Sequence, residues 1–422
     1  MAKFVVKRVL MVAFHYPPVK GSSGVHRTLK FSQYLPEFGW EPIVLTVHPR
    51  AYEATSPEQL ADIPARLKIH RAFALDARKH LGRGGVYPKW LARPDRWVSW
   101  WLAAVPAGMR LIRQYQPQVI WSTYPIATAL LIGLSLQRRS RLPWVADFRD
   151  TMVDETYPPP GVIRQAYQRL EERTVRRCTK AVFTSPSAIT YTKEKYPGLA
   201  DGKWALIANG YDEENFSALT PLTPPHKAEQ LVLVHSGTLY PSERDPRAFF
   251  AALRALRQQQ TLSEQNLKII LRATGHDAYL AKLIREYEID SMVFLSPPIP
   301  YQQALSEMMN ADGLILMQAA NCNRQVPAKL YEYLRARRPI FALTDPAGDT
   351  AKELIAAGIN NIARIDDEAD IVQKFSGFCI NIRAGTLPVP SDNVIEQHSR
   401  YARTEQLAKL LDSIIASYSN SH

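Results

Sequence analysis

At 422 residues the chain is too long for one compact core at about 100–200 residues per domain, so two domains are expected. An apolar fraction of 46% is that of an ordinary globular protein, and the longest apolar stretch, IATALLIGLSL, falls far short of the ~20 residues that span a bilayer. The net charge of +12 is lopsided: residues 1–215 carry 31 Lys and Arg against 18 Asp and Glu, or +13, whereas residues 216–422 carry 21 against 22, so an anionic partner is expected at the first half alone.

Lys3, Lys7 and Arg8 precede only a short apolar run with no small-residue cleavage site, which does not read as a secretory signal. Cys178, Cys322 and Cys379 make neither a CxxC pair nor an even set; this fits a reducing cytoplasm and argues against structural zinc. The first strand, within RVLMVAF, leads into FHYPPVKGSSGVHR, where Gly21, Ser22, Ser23 and Gly24 precede a helix bearing Arg27 and Lys30. Small residues let backbone N–H groups approach a ligand, and a helix N-terminus adds positive potential, which suits a phosphate. The stretch is neither a Walker loop nor a Gly-x-Gly-x-x-Gly fingerprint, so an ordinary strand-to-helix turn stays open as the other reading.

EPIVLTV, QVIWSTY, PWVADF and KAVFTS continue the first series of buried strands; LVLVHSG, LKIILRAT, MVFLSPP, GLILMQA and PIFALT form a second. Near-continuous apolar strands alternating with helical patterns predict two doubly wound parallel sheets. The proline-rich SALTPLTPPHKAEQ between them reads as a linker, with a cleft expected between the domains. Ligands of such sheets sit beyond the C-terminal ends of strands. There the chain places Tyr124, then Asp147, Arg149 and Asp150 in VADFRDTM, and Asn209 in ANGYD. A structural ion pair is one reading of the Arg-Asp group; a carboxylate that orients an acceptor hydroxyl is the other.

In the second half HSGTLYPSERDP supplies Ser236, Gly237 and Thr238 as donors and Arg244 as a fork for phosphate. VPAKLYEYL puts Lys329 and Glu332 on one helix face, in reach of a diphosphate and a ribose. DDEAD at Asp366 resembles a metal cluster, but it precedes IVQKFSGF and reads better as a helix N-terminus. Trp97, Trp100 and Trp101 beside Arg93 and Arg96 read as a core stripe, or as a wall facing a membrane or acceptor.

The five segments FHYPPVKGSSGVHR, PWVADFRD, LIANGYDEENF, HSGTLYPSERDP and VPAKLYEYLRARRPIFAL stand in the order and spacing of bacterial retaining glycosyltransferases of the GT-B fold, the family 4 group. The resemblance spans about Val9 to Ser417. It implies an acceptor-binding Rossmann-like domain over residues 1–215, a nucleotide-sugar domain over 216–394, and a last helix, within 395–422, that returns to the first domain. It implies that the loop Gly21, Ser22, Ser23, Gly24 covers the donor diphosphate opposite Arg244 and Lys329, and that Glu332 holds the ribose. Arg324 stands where the family often has a sugar-binding Glu, so Asn321, Asn323 or backbone N–H groups are alternatives for that contact. Arg149 stands where many members have a histidine, which leaves Asp150 as the favoured residue beside the acceptor hydroxyl.

The enzyme so implied moves a sugar from a nucleotide-sugar donor to a glycan or lipid-linked acceptor, in bacterial surface polysaccharide synthesis, with retention and with neither cofactor nor metal. Its place is the cytoplasm, with peripheral attachment to the anionic inner face of the plasma membrane. Two rivals follow from the same residues: a non-enzymatic binder of acidic polysaccharide or nucleic acid, disfavoured because no nucleic-acid module matches, and a GT-B sugar-nucleotide epimerase.

Overall fold

The computed structural model describes residues 6–20, 24–82, 92–217, 219 and 230–419. The chain divides into two compact units, Met1–Ala208 with Arg400–His422, and Asn209–Ser399.

In the first unit seven strands are all parallel: β1 (Lys7–Ala13), β2 (Trp40–Val47), β3 (Lys68–Ala72), β4 (Val119–Thr123), β5 (Trp144–Arg149), β6 (Lys180–Phe183) and β7 (Trp204–Leu206), in the order β3-β2-β1-β4-β5-β6-β7. Every residue of β4 and β5 is buried, as expected for strands covered by helices on both faces. One face packs Leu10, Val12, Leu45 and Trp144 against the helices Ser99–Tyr115 and Ala127–Ser140. The other packs Val9, Met11, Trp121 and Val145 with Leu29 and Phe31 of the helix Gly24–Tyr34 and with Leu407, Leu411 and Ile414 of the last helix, Arg400–Ser419.

The second unit holds β8 (Leu231–Ser236), β9 (Leu267–Arg272), β10 (Val293–Ser296), β11 (Gly313–Gln318), β12 (Ile340–Thr344) and β13 (Ile362–Ala363), again all parallel, in the order β10-β9-β8-β11-β12-β13. These are two doubly wound Rossmann-like sheets. Strand order reverses between β1 and β4 in one sheet and between β8 and β11 in the other, and residues at those strand ends are the first to inspect for ligand binding.

Two alternatives left by the sequence are decided here. Asp367 caps the helix Glu368–Ala384, accepting from the Asp370 backbone N–H at 3.0 Å, so DDEAD is a helix start. The tryptophan stripe belongs to the core: Trp100 is fully buried beside Phe14, Trp97 lies 4.8 Å from the Phe14 ring and donates to the Ala51 carbonyl, and Trp101 donates to Ser135 at 2.8 Å. Arg96 is taken by Glu53 and Asp76. The reading of this segment as a membrane-facing wall is therefore corrected, because its indole rings are spent on packing.

Candidate functional site

At the end of β5 the chain makes a tight turn around Arg149. Its φ of +63° and the bond from the Asp150 N–H to the Phe148 carbonyl at 2.8 Å define a γ-turn of the rare, strained hand. The register of β5 against β6 shifts at the same point. Such a conformation costs about 1–3 kcal/mol and persists only where its surroundings over-determine it. Here Thr184 supplies both its backbone N–H, 2.7 Å from the Arg149 carbonyl, and its hydroxyl, at 2.9 Å.

Behind Arg149 lies a buried charge network. Asp147, fully buried, is gripped by Arg27 at two points, 2.8 and 3.0 Å, and accepts from the Thr123 hydroxyl at 2.7 Å. Thr123 in turn accepts from Arg149 Nε at 2.9 Å, and Arg149 Nη2 donates to the Gly24 carbonyl at 3.1 Å. Arg27 also donates to the carbonyls of Ile207 and Ala208, both at 3.0 Å. Two sequence expectations change on this geometry. Arg27 is bound inside the unit rather than offered to a phosphate, and Asp147, with both oxygens engaged, is the counter-ion that fixes Arg149 rather than a carboxylate presented to an acceptor. Burial lowers the Arg149 guanidinium to about 10 despite Asp147, so it stays charged at neutral pH.

Asp150 is half-buried beside this turn, with the Thr184 hydroxyl 3.3 Å away; burial raises its carboxyl and the Arg149 charge opposes the rise. Tyr124 is buried, its hydroxyl pushed well up by burial among Tyr167 and Tyr157. Asn209 is half-buried and begins the second unit. Gly24 opens the helix after β1, whereas Gly21, Ser22 and Ser23 lie outside the described residues. His15, which the sequence reading passed over, stands just past β1: burial first and Arg149 second lower it to about 4, and its Nδ1 has no hydrogen-bond partner among the described residues. Its place at a strand end was the available signal.

The second unit gathers the other predicted residues at the end of β8. Lys329 opens the helix Lys329–Ala336, and its Nζ lies 3.4 Å from His235 Nε2. Gly237 has a φ of +108°, a backbone conformation that favours glycine, and a Cβ there would stand 2.9 Å from that Nζ and displace the amine. Arg244 is held by a turn, its N–H on the Tyr240 carbonyl at 2.8 Å, and its Nη1 donates to the Thr238 carbonyl at 2.7 Å. Arg244 Nε is buried and has no hydrogen-bond partner among the described residues, an uncommon state for a guanidinium N–H and one that an anion would relieve. Burial first, then the Arg244 charge, lowers Lys329 to about 7, with Glu332 opposing.

Ser236 N–H donates to the buried Tyr333 hydroxyl at 2.9 Å, and Glu332 accepts from the Tyr301 hydroxyl at 2.7 Å. Arg324 is half-buried on the loop between β11 and this helix. That loop is braced by Gln318, which donates to the carbonyls of Cys322 and Gln325, and by the amides of Asn321 on the Ser242 carbonyl and Asn323 on Asp345. The structure thus assembles Ser236, Gly237, Thr238, Arg244 and Lys329 around one point, with Glu332 a turn along the helix. Missed by the sequence reading were Tyr333, the backing of Ser236, and Tyr301, the partner of Glu332. Two neighbouring cations, one with an unused N–H and the other short of its usual charge, suit a multiply charged oxyanion.

Residues 24–215 match the model of Glycosyltransferase Family 4. No curated protein matches the chain by sequence. Among solved structures it is similar to sucrose-phosphate synthase from Thermosynechococcus elongatus, at 13% identity and TM-score 0.66, over 97% of this chain and 100% of that one. HepE of Anabaena, solved with UDP and glucose, aligns at 14% identity and TM-score 0.62, over 97% and 100%. A protein from Listeria monocytogenes described as a UDP-N-acetylglucosamine 2-epimerase aligns at 12% identity and TM-score 0.58, over 98% and 97%. At these identities the likeness is one of fold.

Proposed function

We infer that this chain, a glycosyltransferase of the family 4 type with the GT-B fold, holds a nucleotide-sugar diphosphate at the end of β8 and transfers the sugar to an acceptor carried by the first unit. The carrying observation is the pair of Arg244, whose buried Nε has no partner among the described residues, and Lys329, packed over Gly237. UDP, which accompanies glucose in the HepE structure, is the first nucleotide to try.

As the sugar departs, the anomeric carbon gains oxocarbenium character and negative charge collects on the diphosphate. Cationic N–H donors fixed beforehand at those oxygens bind that state better than the ground state, and so lower the barrier. Lys329 gains most from this, because burial and the Arg244 charge make its own charge costly and a diphosphate dianion offsets that cost. Glu332, already accepting from Tyr301, is placed for a ribose hydroxyl, and Arg324 for the sugar. In the first unit Arg149, clamped by Thr123 and Gly24, and the half-buried Asp150 are the groups for the acceptor hydroxyl. By resemblance the reaction retains configuration, the hydroxyl entering from the leaving-group face.

Thermal shift with UDP-, GDP- and ADP-sugars, followed by an assay for nucleotide release with and without acceptor, tests the reading. One nucleotide series should stabilise the protein, release should depend on acceptor, and EDTA should leave the rate unchanged because Arg244 and Lys329 meet the leaving-group charge. Loss with EDTA and recovery with magnesium would contradict the metal-independent scheme. Consumption of donor without acceptor would favour epimerisation, the activity given for the Listeria protein.

The acceptor is proposed to be a glycan or lipid-linked sugar of a bacterial surface polysaccharide, met at an anionic membrane face; the +13 balance of residues 1–215 supports this. No helix among the described residues is long and apolar enough to cross a membrane. Co-sedimentation with anionic vesicles at low salt, lost at high salt, is the expected outcome; no binding at low salt would remove the membrane from the account.

A further inference from the structure

Strand β8 ends in a histidine that the transfer scheme leaves idle. His235 is fully buried, and three groups meet its ring. Nδ1 lies 2.9 Å from the Ile315 carbonyl on β11; Nε2 lies 3.2 Å from the Gly237 carbonyl and 3.4 Å from Lys329 Nζ. A neutral imidazole has one N–H. Both ring nitrogens face a carbonyl, which can only accept; Ile315 is the nearer, 2.9 against 3.2 Å for Gly237, so the single proton belongs on Nδ1 and Nε2 is left as an acceptor. Lys329 is the donor placed to use it.

We propose that His235 is a positioning residue for Lys329: its Nε2 accepts from the Lys329 amine and holds that amine over the bare backbone of Gly237, leaving the other amine hydrogens for the phosphate oxygens of the donor. The inference rests on the donor site described above and names a residue that acts behind it. Gly237 supplies the space, since a Cβ would sit 2.9 Å from the amine. A charged ring could not serve, because its Nε2 would carry a proton. Burial, and then the charges of Lys329 and Arg244, hold His235 well below the usual imidazole range, so it is neutral at working pH.

Binding then becomes coupled to a proton. The groups bearing on Lys329 are His235 from β8, Arg244 from the loop after it, and Glu332 on its own helix; Tyr333, hydrogen-bonded to Ser236, lies behind, and Glu307 is paired with Arg272. In the free protein Lys329 sits at about 7. A diphosphate favours the ammonium and raises that value. Above pH ~7, therefore, binding takes up a proton, and affinity falls as pH rises until the pKa of the complex is reached.

The test is titration calorimetry with UDP as the probe, in two buffers of different ionisation enthalpy, from about pH 6.5 to about pH 9. Wild type should take up a growing fraction of one proton per UDP above neutrality, and Lys329→Met should take up none. His235→Asn keeps an amide N–H near the Ile315 carbonyl but stops short of Lys329, and should weaken UDP binding about tenfold. His235→Gln places an amide oxygen where Nε2 stood and should recover most of the loss, which a merely space-filling role would not predict.

Wild-type affinity in a folded His235→Asn across the pH range, or proton uptake that persists in Lys329→Met, would overturn the proposal. Should His235→Asn not fold, long-range 1H–15N spectra of the wild-type histidine rings decide: an Nδ1–H tautomer for His235 supports the role, and an Nε2–H or charged ring overturns it. UDP binding without proton uptake defeats this inference alone, whereas a wild type that binds no UDP, GDP or ADP defeats the donor site and the inference with it.

Discussion

Lys329→Met is expected to slow the proposed sugar transfer by about 10²–10³-fold, the usual effect of removing one fixed donor from a developing oxyanion. The melting temperature should stay level or rise. Methionine keeps the buried stem and its packing, while the charge it removes is one that burial and Arg244 already disfavour, as the lowering of Lys329 to about 7 indicates. A loss of activity without a loss of stability separates a binding cation from a structural one. Steady-state kinetics refine the point: kcat should fall along with kcat/KM, because the donor oxygens carry more charge in the transition state than in the ground state. Lys329→Arg should not rescue, since the longer guanidinium must fit where Nζ already stands 2.9 Å from the position of a Gly237 Cβ.

Asp147→Asn acts on the other unit and on stability. The substitution leaves Arg27 and Arg149 buried without the carboxylate that both face at 2.8–3.7 Å. Breaking a buried pair from one side costs about 3–5 kcal/mol. With about 2–4 °C per kcal/mol for a unit of this size, the transition of the N-terminal unit in a calorimetric scan should drop by roughly 6–20 °C. Two units need not melt together, so the transitions are to be read separately. The double variant Arg27→Met/Asp147→Met should recover part of the loss, because a buried pair exchanged for packed apolar groups is often neutral. An Asp147→Asn protein that melts like wild type would mean that the network is not what fixes the Arg149 turn.

Much of the fold was legible because buried parallel strands are short apolar runs, and ten such runs are strands β1, β2, β4, β5, β6, β8, β9, β10, β11 and β12. The three that escaped are β3, β7 and β13: KIHRA lies at a sheet edge and is mostly half-buried, WAL is three residues long and IA two, and none shows an apolar run of strand length. At the site, Arg244 and Lys329 could be picked out since each follows a strand and a small-residue loop. Asp147 and Arg27 could not be judged, because whether a carboxylate faces a ligand or an arginine 120 positions away is a tertiary fact. The γ-turn at Arg149 was equally hidden; no glycine marks it. His235 reads as the end of an apolar run, and only the contacts around its ring give it a task.

A crystal structure of the protein with UDP measures the central claim most directly. The account predicts Lys329 Nζ and Arg244 Nε within about 2.7–3.2 Å of diphosphate oxygens, with Glu332 on the ribose. A diphosphate bound elsewhere, with Arg244 Nε still unpaired and Lys329 still on His235 alone, would contradict it.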